Sequence, residues 1–130
     1  MLKKIKKIPL KVIETKEGKI IKYLDKDKKY FSKFGEIYFS TIKKGFTKGW
    51  NLHTKTECFI TVPFGSVKFE LKNFKKTKSK KFELKDSFPE LLIVPKNIWF
   101  KFWTKRKYSI IMNLIEIKHD RNETKKLPIT

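Results

Sequence analysis

The chain has 130 residues, 39% hydrophobic and 15% aromatic, with 33 Lys and Arg against 13 Asp and Glu for a net charge of +20. That length suits one domain with a real core, and the aromatic content excludes a disordered basic tail. No apolar run reaches the roughly 18 residues of a membrane helix and the Lys-rich N-terminus lacks the apolar stretch of a secretory signal, so a cytoplasmic protein with no membrane partner is expected.

From the N-terminus, a short basic turn gives way to an extended strand over residues 10–13, where Pro9 and β-branched side chains argue against helix. Glu17 and Gly18 supply a turn, and residues 19–24 return as a second strand. Residues 25–34 read as a charged loop anchored by Tyr30, Phe31 and Phe34. Residues 36–42 are strongly β in composition, and Lys44 and Gly45 break them before the stretch Lys48-Gly49-Trp50-Asn51-Leu52-His53. If that stretch is extended, Asn51 and His53 share one face and Trp50 and Leu52 the other.

Residues 57–62 lead to a turn signal at Pro63-Phe64-Gly65, after which residues 66–72 alternate with Val67, Phe69 and Leu71 inward; the pair reads as a hairpin. A basic loop over 73–81, strands at 82–84 and 91–94, an aromatic strand at 98–103 and a long strand at 108–117 follow. The tail from His119 is polar and is expected at the surface. Short, regularly spaced strands with little helix predict an all-β fold, a jelly-roll barrel of roughly 8–11 strands formed by a single domain over residues 1–130.

Of the basic residues 31 are Lys, scattered over almost every segment, and only Arg106 and Arg121 are arginine. Proteins that grip phosphate or bases use the planar fork of Arg more freely, so the charge reads as a solvated lysine surface and a nucleic-acid partner is disfavoured. The single cysteine, Cys58, excludes an internal disulfide and, beside Phe59 and Ile60, reads as a small buried hydrophobe. There is no Gly-x-Ser-x-Gly, no cysteine pair and no Gly-rich phosphate loop.

The run Gly35-Glu36-Ile37-Tyr38-Phe39-Ser40-Thr41, then Lys48-Gly49-Trp50-x-x-His53, Gly65, Pro95-x-x-x-Trp99-x-x-Phe102, Asn113 and His119-Asp120 resembles the cupins related to dTDP-4-dehydrorhamnose 3,5-epimerase. The likeness covers nearly the whole chain. It implies a cupin jelly roll, usually a homodimer, whose pocket binds a nucleotide-diphosphate sugar with a 4-keto group in surface-polysaccharide synthesis, with no cofactor. Lys48 would help hold the substrate, and Tyr38, Trp99, Asn113 and His119 would line the pocket.

In that family a histidine after the basic-Gly-aromatic triplet removes a proton beside the carbonyl. Here the position is Asn51, an amide that cannot accept a proton at neutral pH but can hydrogen-bond an enolate oxygen. His53, two residues on and on the same face, is the candidate base. For the family's late-strand tyrosine, Asn113 and His119 both remain open as matches. The chain also stops short of the region that supplies the family's carboxylate partner to the histidine, so no such partner is expected. Two readings follow: an epimerase or ketoisomerase using His53 and Asn51, or a catalytically inactive sugar-nucleotide binder. A metal cupin would need more ligands than His53 and Glu57 around Asn51 and Phe100, so no metal is expected.

Overall fold

The computed structural model describes residues 2–129. After a single 3-10 turn at Leu2–Lys4, the strands in chain order are β1 (Lys6–Pro9), β2 (Lys11–Thr15), β3 (Gly18–Lys22), β4 (Glu36–Lys43), β5 (Thr47–His53) and β6 (Cys58–Phe64). There follow β7 (Ser66–Lys72), β8 (Ser79–Lys85), β9 (Glu90–Val94), β10 (Trp99–Trp103), β11 (Tyr108–Ile115) and β12 (Thr124–Lys126). Ten of them build two five-stranded antiparallel sheets, β1-β9-β6-β11-β4 and β12-β5-β10-β7-β8, while β2 and β3 form a separate hairpin. This is the all-β jelly-roll barrel that the strand spacing predicts.

Alternation explains the core. Val67, Phe69 and Leu71 point inward from β7 and are no more than 1% exposed, and they meet Ile42, Ile60, Val62, Ile111 and Ile115 from the facing sheet. Each such side chain contributes about 1.5–3 kcal/mol relative to exposure. The outer side of the first sheet carries Phe59, Leu91, Ile93 and Leu114, roofed by Tyr23, Leu24, Tyr30 and Phe31. Of the three loop anchors expected there, Tyr30 and Phe31 pack in this way and Phe34 is exposed. Cys58 is buried in the core between the sheets.

Two local expectations are corrected, and a third gains an element. Strands β6 and β7 are not a hairpin: they lie in different sheets, and Gly65, at φ +95°, turns the chain from one to the other. Asp86 braces that corner, its Oδ2 accepting from the Gly65 N–H at 2.9 Å and its own N–H donating to the Gly65 carbonyl at 2.9 Å. Inward alternation is the same whether two strands share a sheet or face each other, so the pattern fits either arrangement. Strand β8 begins at Ser79, inside the expected basic loop, because its polar side chains face water while its backbone pairs with β7. The tail lies mostly at the surface as expected, but it adds β12 to the edge of β5 and buries Glu123. No helix among the described residues is long and apolar enough to cross a membrane.

Candidate active site

A pocket of about 180 Å³ opens between the sheets, lined by Tyr38, Ser40, Lys48, Asn51, His53, Phe100, Asn113 and His119 among others. Strand β5 supplies one wall of it. Asn51 and His53 face the pocket, whereas Trp50 and Leu52 pack on the other side of the sheet with Trp99 and Leu127. Gly49 lets β5 lie this close to β10: at φ +121°, a Cβ there would sit 2.6 Å from the Phe100 carbonyl oxygen and 2.7 Å from the Lys101 Cα. The register of β10 against β5 shifts between Phe100 and Phe102, a bulge beside the site.

His53 is 6% exposed and its Nδ1 lies 2.8 Å from Oε1 of Glu123, which is fully buried. The other carboxylate oxygen accepts the Lys55 N–H at 3.0 Å, and Thr124 Oγ1 donates to Oε1 at 3.0 Å. Burial alone would raise the Glu123 pKa, but the hydrogen bonds from Lys55 and His53 and the attraction of the imidazole outweigh it and hold the carboxyl below its ordinary range. Glu123 is therefore ionised at neutral pH and accepts from His53 Nδ1, an arrangement that places the lone pair of a neutral imidazole on Nε2. The Phe100 ring stacks on the imidazole, centroids 6.0 Å apart and 17° between planes.

The absence of a carboxylate partner, expected from the sequence, is thus overturned: the tail itself delivers Glu123. Strand β12 is fastened to β5 by its ladder and by Trp50 N–H to Leu127 O at 3.2 Å, Leu127 N–H to Trp50 O at 3.0 Å and Thr54 N–H to Glu123 O at 3.1 Å. The available signal is Glu123 and the apolar Leu127 within a polar tail.

The facing wall is built by Tyr38 on β4 and Asn113 on β11, which are direct cross-strand partners. Asn113 is 4% exposed; its Nδ2 donates to Tyr38 Oη at 2.9 Å and its Oδ1 has no hydrogen-bond partner. Burial pushes the Tyr38 phenol up to about 12 and, beside Asn113, the Cys58 thiol up to about 12, so both stay protonated at neutral pH.

At the rim, Lys48 Nζ donates to Ser40 Oγ at 3.0 Å and to the Thr41 carbonyl at 2.6 Å, bridging β5 to β4. His119 is exposed at the mouth, its backbone N–H donating to Glu36 Oε1 at 2.7 Å, and it adjoins a second depression shared with Arg121, Thr124 and Lys126. Tyr38, Lys48, Asn51, His53, Asn113 and His119 therefore meet in one pocket. Trp99 does not: alternation along β10 turns Phe100 and Phe102 inward and leaves Trp99 on the outer face, its Nε1 donating to the Phe74 carbonyl at 3.1 Å. No group of three or more His, Cys, Asp or Glu side chains able to hold a metal ion occurs among the described residues.

A family model described as FdtA, WxcM-like C-terminal, matches residues 3–126. Among solved structures, a dTDP sugar isomerase from Desulfovibrio desulfuricans superposes with a TM-score of 0.88 at 25% identity, over 96% of this chain and 84% of that one. A histidine-to-asparagine variant of the 3,4-ketoisomerase QdtA from Thermoanaerobacterium thermosaccharolyticum, in complex with TDP-4-keto-6-deoxyglucose, gives 0.82 at 25% identity, over 95% and 88%. A dTDP-4-dehydrorhamnose 3,5-epimerase from Bacillus anthracis shares the fold, with a TM-score of 0.86 at 14% identity over 95% and 78%. No match was found among curated proteins.

Proposed function

The chain belongs to the FdtA, WxcM-like C-terminal family, and on that premise we propose that it is a nucleotide-sugar isomerase of the 3,4-ketoisomerase kind, acting on a 4-keto sugar carried by a nucleotide diphosphate. The observation that carries this reading is the buried His53–Glu123 pair at 2.8 Å. Its Nε2 is the base that takes the proton from the hydroxyl-bearing carbon beside the carbonyl. The electrons of that C–H bond move into an enediolate, whose oxygen accepts a hydrogen bond from the Asn51 amide. Protonation of the former carbonyl carbon by His53, with transfer of the hydroxyl proton between the two oxygens, leaves the carbonyl moved by one position.

The residues favour isomerisation over epimerisation. Inverting a carbon requires a proton to leave one face and return to the other, so two groups must act, and Asn51 stands where the epimerases place their base. Moving a carbonyl between neighbouring carbons needs one base working on one face, which His53 supplies. The pocket, about 180 Å³, is smaller than the roughly 300–1,000 Å³ of sites that enclose a drug-sized ligand. It therefore takes the sugar, and the diphosphate lies at the rim beside Lys48. Support for the ligand class comes from the TDP-4-keto-6-deoxyglucose held by the ketoisomerase relative.

We further assign the enzyme to the cytoplasm, to surface-polysaccharide sugar synthesis, and to a homodimer, as the family likeness implies. The open edge of β4, with Ile37 and Phe39 44% and 66% exposed, is a surface such a dimer would cover.

The test is to incubate the protein with TDP-4-keto-6-deoxyglucose in deuterated water and follow carbonyl position and carbon-bound deuterium by NMR. The expected result is a migrated carbonyl, slowed by about 10²–10⁴-fold in His53→Ala. Exchange at two carbons without migration would point instead to an epimerase. Tight binding with neither exchange nor migration would mark the inactive binder that Asn51 alone makes conceivable.

A further inference from the structure

We propose that Tyr38 and Asn113 form a donor–acceptor pair that selects substrates bearing a hydroxyl on the carbon next to the carbonyl; this rests on the ketosugar reading above. Asn113 is 4% exposed and lines the pocket, yet its Oδ1 has no hydrogen-bond partner. Buried polar groups are nearly always paired, and an orphan carbonyl in a pocket wall carries a penalty that a ligand hydroxyl removes. Toward the Cys58 sulfur beside it the amide is the donor, and the thiol, a weak donor, leaves Oδ1 without a partner.

Tyr38 completes the pair. Its oxygen accepts from Asn113 Nδ2 at 2.9 Å, which leaves the phenolic proton to be donated into the pocket. The apolar neighbours Ile60 and Ile111 on the same wall, and Phe69 on the opposite one, offer that proton no acceptor. One acceptor and one donor thus stand a single hydrogen bond apart, matching a hydroxyl and a carbonyl on adjacent carbons. Turning the Asn113 amide end for end exchanges the two roles and still leaves one donor and one acceptor. The arrangement discriminates by omission: a ligand lacking the hydroxyl leaves the amide as unsatisfied as before.

Calorimetric binding of TDP-4-keto-6-deoxyglucose, of its analogue without the hydroxyl beside the carbonyl, and of TDP alone tests this. The wild-type protein should prefer the hydroxylated sugar by about tenfold or more. In Asn113→Leu the two sugars should bind within about twofold of each other, with TDP binding unchanged. Wild-type discrimination persisting in Asn113→Leu would overturn the proposal and leave the nucleotide-sugar reading standing. If that variant does not fold, Tyr38→Phe, which deletes one oxygen, carries the test: it must lose the preference for the keto sugar over the same sugar reduced to an alcohol, and an unchanged preference overturns the pair. Failure of the wild-type protein to bind TDP or either sugar would bring down the nucleotide-sugar reading and the selectivity with it.

Discussion

A neutral histidine whose Nδ1 donates to a carboxylate has its lone pair on Nε2, and in this chain the carboxylate, Glu123, is fully buried and accepts hydrogen bonds at both oxygens. Substituting Gln keeps the size but lets the amide donate to the ring, which favours the wrong tautomer. Glu123→Gln should therefore lower kcat by about 10³–10⁴-fold with little change in KM, as loss of an orienting carboxylate does elsewhere. Stability should change with it. Because the folded-state pKa of Glu123 lies below its ordinary value of 4.5, the carboxylate stabilises the fold above that value, and its contribution is lost as pH falls through the lower folded pKa. Urea midpoints should decline for the wild-type protein below about pH 4.5 and decline less steeply for Glu123→Gln; parallel curves would argue against the assignment.

The same residue shows what could be read in advance. Asn51 and His53 share a face because a strand has a period of two, which any extended reading of residues 48–53 reveals. Tyr38 and Asn113 each lie in apolar β runs whose composition is unmistakable. Glu123 reaches His53 only because β12 pairs with β5 across 70 residues of sequence, and a polar three-residue strand carries no periodic signature. Trp99 lies outside the pocket for the opposite reason: the alternation is legible, but choosing between it and Phe100 requires knowing which face of β10 turns inward.

At the level of elements, the site depends on how closely β5 and β10 approach, and Gly49 sets that distance. Gly49→Ala would place a methyl against backbone atoms of Phe100 and Lys101 at a positive φ, where neither the methyl nor the strand can yield cheaply. A loss of about 1–3 kcal/mol is expected, read as a fall in Tm of several degrees. Gly45 is the control, since at φ +92° it has nothing within 4 Å of the added Cβ and bears only the backbone cost. If the two variants melt together, crowding at β10 is not what fixes Gly49. The β6–β7 connection teaches a related point, because face periodicity fixes which side chains are inside but does not fix the partner of a strand; Gly65 and Asp86 do that by turning the chain.

For the molecule as a whole, a net charge of +20 sets two tendencies against each other. The field draws in a nucleotide diphosphate, and it also pushes copies of the chain apart. An apolar seam along β4, through Ile37 and Phe39, would hold a dimer together against that repulsion. Salt should then act in opposite directions on two observables. Raising ionic strength from about 0.01 M to about 1 M shortens the screening length from about 30 Å to about 3 Å. Sedimentation should show the dimer strengthening over that range, while kcat/KM for the sugar nucleotide falls by about tenfold at nearly constant kcat. Phe39→Lys should remove the dimer at every salt concentration and leave the salt dependence of kcat/KM in place, because the attraction of substrate belongs to the charge of each copy. A wild-type protein that sediments as a monomer throughout would dismiss the β4 seam, and a kcat/KM indifferent to salt would mean that the lysines are spread too evenly to steer anything toward the pocket.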